Sequence, residues 1–319
     1  MAYRQVSGAL ELGQTLFDGD IFSGQDPMTI LQAVEGDNPE LIWFVPSAFR
    51  RQRSLLGSRI QLPGVLEGEE RYRRERELQQ AAASAIEAIE LENPLTDYDR
   101  LICLYEYLQR TVTYDYETFQ RRGTDPWSHN AYGGLVLKKA VCDGISGALV
   151  LLAQKMGYDA TIIHGNAARD GMTEDHAWAM VRVNGQCCHL DPTWDMSKSQ
   201  AVGICGYDYF CLDDGTIAMD HQWAAGIAPV CRSGALSWYH RNRCYANNLT
   251  QAGEILNRYA RSKTAVFRLR LADGVAVPGN EGQTMARMLM DALRSAGRSS
   301  AIRYLWNPYV RSLTAVLNA

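Results

Sequence analysis

The alternation of apolar and polar positions divides the chain into three regions. Near the amino terminus Asp26-Pro27 opens a short helix running to Ala33, because an acidic residue followed by proline suits a first turn. Asp37-Asn38-Pro39 closes it, Leu41 to Val45 is an unbroken apolar run of strand character, and Arg53 to Leu62 reads as another strand. From Glu69 to Glu92 a helix rich in Ala, Glu, Gln and Arg runs until Asn93-Pro94, with its Ala83, Ile86 and Ile89 side expected on the core.

Thr96 with Asp99 three residues later is close to a capping box, and Leu101, Ile102, Tyr105 and Leu108 follow at helical spacing. The stretch from Arg121 to Gly134 is a polar loop. A second helix is expected from Cys142 to Met156, with Ile145, Leu149, Leu152 and Met156 as its buried stripe and Gly157 as its stop. Tyr158 to His164 reads as a buried strand, Gly165 to Glu174 as a flexible loop, and His176 to Val183 as a strand. Asn184-Gly185 is a two-residue hairpin turn leading to a return strand from Gln186 to Trp194. Beyond Gly226, Leu236 to Tyr245 and Ala265 to Leu271 read as strands, Met285 to Ala296 as an amphipathic helix, and Ala301 to Trp306 and Ser312 to Leu317 as strands. The expected regions are 1–95, 96–225 and 226–319. The two ends share an order of strand, helix, strand and strand, which leaves open a repeat or a shared sheet.

Composition narrows the setting. With 319 residues, 46% hydrophobic and 21% charged, the chain can bury a full core. A net charge of -4 gives no electrostatic footprint for nucleic acid, and the arginines from Arg71 to Arg76 alternate with Glu69, Glu70, Glu75 and Glu77 as on a solvated helix face. No stretch approaches the ~20 apolar residues of a membrane span. Met1 to Gly13 lacks the basic and apolar segments of a signal peptide, and the eight cysteines show no small-domain disulfide spacing. Both features lean towards the cytoplasm.

The candidate chemistry lies in three segments. Cys142 stands where a loop gives way to an apolar helix, and unpaired N–H groups with the helix dipole favour a thiolate there. Pairing across Asn184-Gly185 sets Trp178 opposite Asp191 and His176 opposite Thr193, so His176 and Asp191 are diagonal neighbours at roughly 5–8 Å. A carboxylate at that reach can fix the tautomer of an imidazole, turning its other nitrogen to a thiol. Cys187, Cys188 and His189 evoke zinc, but adjacent strand residues face opposite ways and the chain holds no Cys-x-x-Cys pair, so neither a metal nor a cofactor is expected.

Val141-Cys142-Asp143-Gly144, His176-Ala177-Trp178 and Leu190-Asp191-Pro192-Thr193-Trp194 together resemble the transglutaminase-like superfamily, whose core is papain-like. Val112-Thr113-Tyr114-Asp115, and Tyr209-Phe210-Cys211-Leu212-Asp213 with Asp220-His221-Gln222-Trp223, resemble its bacterial branch; the likeness covers about 96–225. It implies an α+β fold, a nucleophile helix packed on an antiparallel sheet, flanked by α/β terminal regions. It also implies Cys142 as nucleophile, His176 as acid and base, and Asp191 as orienting group. In that arrangement a second oxyanion donor precedes the cysteine, with Tyr132 first among Tyr132, Asn130 and Ser128. Trp178 and His221 are candidates for the cleft, each weighed against a packing role. The expected function is a cysteine-dependent amide hydrolase or acyl transferase, peptidase-like, working through a thioester on a peptide or protein. The alternative is a catalytically silent module that binds peptide or glycan.

Overall fold

Side-chain caps set most helix starts. The computed structural model describes residues 1–22, 24–44, 46, 49–54, 57–62, 68–121, 125–169, 171–196, 203–298 and 301–317. They form two compact units, one of Met1–Cys187 with Gln222–Pro229, the other of Cys188–His221 with Val230–Ala319.

The first unit opens with α1 (Ala2–Glu11), β1 (Leu16–Asp18), α2 (Pro27–Asp37), β2 (Arg50–Ser54) and β3 (Gly57–Gln61), the strands ordered β1-β3-β2 in one antiparallel sheet. Asp26 accepts from Thr29 N and starts α2 as expected. The helix outruns Ala33 and reaches Asp37, because its last turn docks on the core: a Cβ on Gly36 would stand 2.8 Å from the Ile162 carbonyl oxygen. Leu41 to Phe44 is not a strand. It is a chain of tight turns that buries Ile42, Trp43 and Phe44, since an apolar run marks burial without marking conformation. Val45, the last residue of that expected strand, lies outside the described residues, as do 55–56 within the expected strand from Arg53 to Leu62, which is a hairpin.

The long helix α3 (Gly68–Glu90) buries Leu78, Ala82, Ala85 and Ile89. Ala83 is exposed and Ile86 half-buried, so the stripe is rotated from the expected one onto the row that Leu78 begins. Thr96 accepts from Asp99 N at the start of α4 (Asp97–Thr111), whose Leu101, Leu104, Tyr105 and Leu108 are buried. Then follow β4 (Thr113–Tyr114), α5 (Tyr116–Gln120) and β5 (Lys139–Ala140), with β4 and β5 parallel. The central helix α6 (Cys142–Lys155) is buried from Gly144 to Ala153, and Gly157 ends it at a φ of +92°. The loop expected from Arg121 to Gly134 has its residues 122–124 outside the described set.

Strands β6 (Asp159–Arg169) and β7 (Met172–Val183) pair antiparallel along their whole length, with Gly165 opposite His176 and Ile163 opposite Trp178. The segment from Gly165 to Glu174 is thus ribbon rather than flexible loop, apart from residue 170, which is outside the described set. Its polarity reflects exposure, and ladder hydrogen bonds do not depend on side-chain polarity. Gly165 is needed as glycine, because a Cβ would stand 2.1 Å from the Gln222 carbonyl oxygen. Asn184 and Gly185 take φ values of 51° and 75°, as a tight hairpin turn requires.

In the second unit β8 (Gln186–Leu190) pairs with β9 (Phe210–Leu212), and the register shifts between His189 and Leu190, where Cys211 takes a φ of 54°. The return strand is shorter than expected. It ends at Leu190, and residues 192–196 turn helical behind the Asp191-Pro192 start. Then come α7 (Asp214–Ile217), β10 (His221–Trp223), α8 (Trp238–Arg241), β11 (Tyr245–Ala246), α9 (Leu249–Arg261), β12 (Val266–Leu271), α10 (Glu281–Ser295), β13 (Ile302–Asn307) and β14 (Ser312–Leu317). The last strands form a four-stranded sheet ordered β11-β12-β14-β13, and among the described residues no strand before residue 62 belongs to it. Its core joins Leu256, Phe267, Leu269, Met285, Leu289 and Leu313. Where a strand is expected from Leu236 to Tyr245, Gly234–Leu236 and Trp238–Arg241 are helical turns and only Tyr245 enters a strand, and α9, capped by Asn248, has no counterpart in the expected elements. Among the described residues no helix is long and apolar enough to cross a membrane.

Candidate active site

Cys142 is the first residue of α6, with Val141 extended before it, and it is partly exposed. The strap before it, 128–131, is bound tightly to the first helical turn. Val141 N donates to Ser128 O at 3.0 Å, and a Cβ on Gly144 would fall 2.3 Å from the same carbonyl oxygen. The strap is fastened from beneath by Asp115, the end of the Val112-Thr113-Tyr114-Asp115 segment. Its buried carboxylate accepts from Ser128 Oγ at 2.6 Å, Thr118 Oγ1 at 2.7 Å and Thr118 N at 3.2 Å, and pairs with Lys139 Nζ at 3.0 Å. Burial pushes the carboxyl up, yet these donors outweigh it and hold it well below the usual carboxylate range. Asp143 receives Gly144 N at 2.9 Å and His129 Nδ1 at 2.7 Å, and that bond raises the histidine above its ordinary value despite burial.

His176 lies on β7, largely buried. Ser146, one turn beyond Cys142 on the same face of α6, donates its hydroxyl to the Ala177 carbonyl at 3.0 Å. That bond ties the start of the helix to the residue beside His176. Trp178 stacks under the imidazole at 6.0 Å and meets Trp223 edge-on at 5.9 Å. Trp178 is completely buried. Tyr132 is held by two hydrogen bonds. Its N–H donates to Asn130 Oδ1 at 3.0 Å, and its hydroxyl donates to Glu77 Oε2 at 2.5 Å, so both of its donors are engaged. Its ring supports Arg74, whose guanidinium also covers Trp127.

In the second unit Asp191 is fully buried and caps the helical turn behind it. Its Oδ1 accepts from Trp194 N at 3.2 Å, and its own N–H donates to Tyr209 O at 3.0 Å. Its Oδ2 receives His221 Nε2 at 3.2 Å. His221 is itself fully buried. Its Nδ1 donates to Asp220 Oδ1 at 2.6 Å. Burial pulls the imidazole down, but the two carboxylates prevail and its pKa rises to about 9. The Asp191-Pro192 dipeptide could have announced the cap; nothing in the sequence announced that His221 would stand behind the carboxylate.

Two further cysteines near these segments face each other in the interior. Cys188 Sγ meets Cys211 Sγ at 3.1 Å, and that contact with burial raises the Cys188 thiol well above its ordinary value. Elsewhere in the unit, donors of His189, Asp214 and Cys231 lie within 4.8 Å of one another. Asp214 Oδ1 accepts from His189 Nε2 at 2.9 Å and from the backbone N–H of Cys231 at 3.1 Å.

The transglutaminase-like superfamily model matches residues 87–192, a span that includes Cys142, His176 and Asp191. No curated protein matches the chain. Among solved structures, one described as a TGase is 16% identical at a TM-score of 0.35, covering 46% of this chain and 43% of that one. Another, described as a candidate cysteine protease from Cytophaga hutchinsonii, is 11% identical at a TM-score of 0.30, covering 46% of this chain and 61% of that one. The chain therefore spans less than two thirds of either neighbour. The α+β architecture agrees with that match, and residues 87–192 are similar to the transglutaminase-like superfamily.

Proposed function

We propose that the protein is a cysteine-dependent amide hydrolase, peptidase-like, with Cys142 as nucleophile, His176 as proton carrier and Asp191 as the group that orients His176. The observation that carries this reading is the Ser146–Ala177 hydrogen bond, which couples the Cys142 end of α6 to the strand position next to His176. The hairpin register read from the sequence assigns Asp191 its role.

In the proposed cycle the Cys142 thiolate attacks the amide carbonyl carbon, and the oxyanion is stabilised by the Cys142 N–H, an amide for which the helix itself supplies no partner. The imidazolium of His176 protonates the departing amine, and the C–N bond breaks to leave a thioester. Water then attacks the thioester, giving its proton to His176. The C–S bond breaks, the carboxylic acid leaves, and the Cys142 thiolate with the His176 imidazolium is restored.

The test is alkylation with iodoacetamide at neutral pH, read residue by residue by mass spectrometry. Cys142 should label fast, at least tenfold slower in His176→Ala, while the buried Cys188, Cys211 and Cys231 stay unlabelled. Peptide hydrolysis should vanish in Cys142→Ala and persist in Cys188→Ala. Slow, unselective labelling would sink the reading and leave a silent module that binds peptide or glycan.

A further inference from the structure

The buried polar groups behind Asp191 form a continuous line that the cycle above does not use. Beyond His221, Asp220 Oδ2 accepts from the Tyr209 hydroxyl at 2.5 Å. That hydroxyl oxygen accepts from Asn307 Nδ2 at 3.3 Å, and the same amide donates to Asp208 Oδ2 at 3.1 Å. Asp208 Oδ1 in turn accepts from the Tyr239 hydroxyl at 2.6 Å. The line thus starts one residue after β8 and runs through the last residue of β13, more than a hundred positions later in the chain.

We propose that His221 is a positioning residue for the Asp191 carboxylate, and that Asp220, Tyr209 and Asn307 hold His221 in that task. The inference rests on the reading that Asp191 orients His176. A histidine donating from both nitrogens is an imidazolium, so the carboxylate it holds remains ionised. Both oxygens of Asp191 are engaged, one by His221 and one by Trp194 N, which stops the carboxylate from turning. The imidazole plane is confined by Trp194 at 4.7 Å and Tyr209 at 5.5 Å between ring centres. Each polar atom is satisfied by the next, and an unsatisfied member of such a buried network would cost more than the bond it lacks. A carboxylate locked in this way presents its remaining lone pairs in one fixed direction. That is what an orienting group must do for a neighbouring imidazole.

The experiment is the rate of Cys142 alkylation by iodoacetamide in the full chain, compared among wild type, Asp191→Asn, His221→Gln, Tyr209→Phe and the double variants with Asp191→Asn. Asp191→Asn and His221→Gln should each slow labelling by about tenfold, and Tyr209→Phe by roughly threefold. Neither His221→Gln nor Tyr209→Phe should slow the Asp191→Asn protein any further, because both act through that carboxylate. If losses multiply in the double variants, or if both single variants label at the wild-type rate while Asp191→Asn is slow, the positioning role is overturned and the triad stands. If Asp191→Asn labels like wild type, the orienting role of Asp191 fails, and this inference fails with it. Should His221→Gln not fold, Tyr209→Phe alone and in the Asp191→Asn background decides the matter, since it removes one hydroxyl and keeps the ring.

Discussion

Two histidines, one in each unit, meet carboxylates in unlike ways. His164 on β6 faces one acid, Glu35 of α2, at 3.2 Å, but its Nε2 lacks the alignment of a hydrogen bond. His221 faces two acids, and both contacts are aligned hydrogen bonds. Burial lowers both rings; Glu35 lifts the first above its ordinary value, while Asp191 and Asp220 lift the second to about 9. Glu35 is raised by its own burial, so its negative charge is held at a cost. The difference separates a contact from a device. The first accompanies the docking of α2, where Gly36 lies against Ile162 and Gln154 Nε2 donates to Asp37 O at 2.9 Å. The second specifies the orientation of a carboxylate.

The largest expected effect comes from that two-sided grip. The folded pKa of His221 is raised from 6.5 to about 9, so its stabilisation is complete below pH 6.5 and is lost as pH rises through about 9. The shift corresponds to about 3 kcal/mol in all. Urea unfolding followed from pH 6 to pH 10 should show the wild-type unfolding free energy falling by that amount relative to His221→Gln, whose curve lacks this component. Parallel curves for the two proteins would mean that the carboxylates do not hold the proton.

The first half of the comparison was partly legible in the sequence and the second was not. Thr96 with Asp99, Asp26 with Pro27, and Gly157 mark helix ends through local chemistry, and the structure uses each of them. The fold class and the family were readable because the segments around Cys142, His176 and Asp191 carry their own local signals. Asp191-Pro192 carries the same signal as Asp26-Pro27 but stood inside an apolar run that reads as strand, so periodicity masked the cap. The helix stripe of α3 was misplaced because alanines populate both of its faces and only Leu78 marks the buried one. The line from Asp191 through His221 to Asn307 could not be read at all. It joins residues whose separation along the chain exceeds any local rule, and each of them alone is an ordinary polar residue.

A smaller effect tests the His164 side. Glu35 is the main group lifting this histidine against burial, with Asp143 a lesser one. In Glu35→Gln the burial term prevails, and the His164 titration, followed by the NMR signal of its imidazole Cε1 proton, should move from above 6.5 to below it. In Asp220→Asn, by contrast, Asp191 still holds His221, whose pKa should fall from about 9 yet stay above 6.5. The consequence of Glu35→Gln for stability changes sign with pH. Above pH 7 the variant sheds a buried carboxylate that is costly to ionise, because a folded carboxyl pKa raised above its unfolded value penalises the folded state once pH exceeds both. Below pH 6 it loses the partner of a protonated His164, whose stabilisation had been complete there. Each change should be on the order of 1 kcal/mol, since the geometry is unaligned and the side chain keeps some solvent. An unchanged His164 titration in Glu35→Gln would assign the shift to Asp143 instead, and the contrast between a single and a double carboxylate grip would then rest on His221 alone.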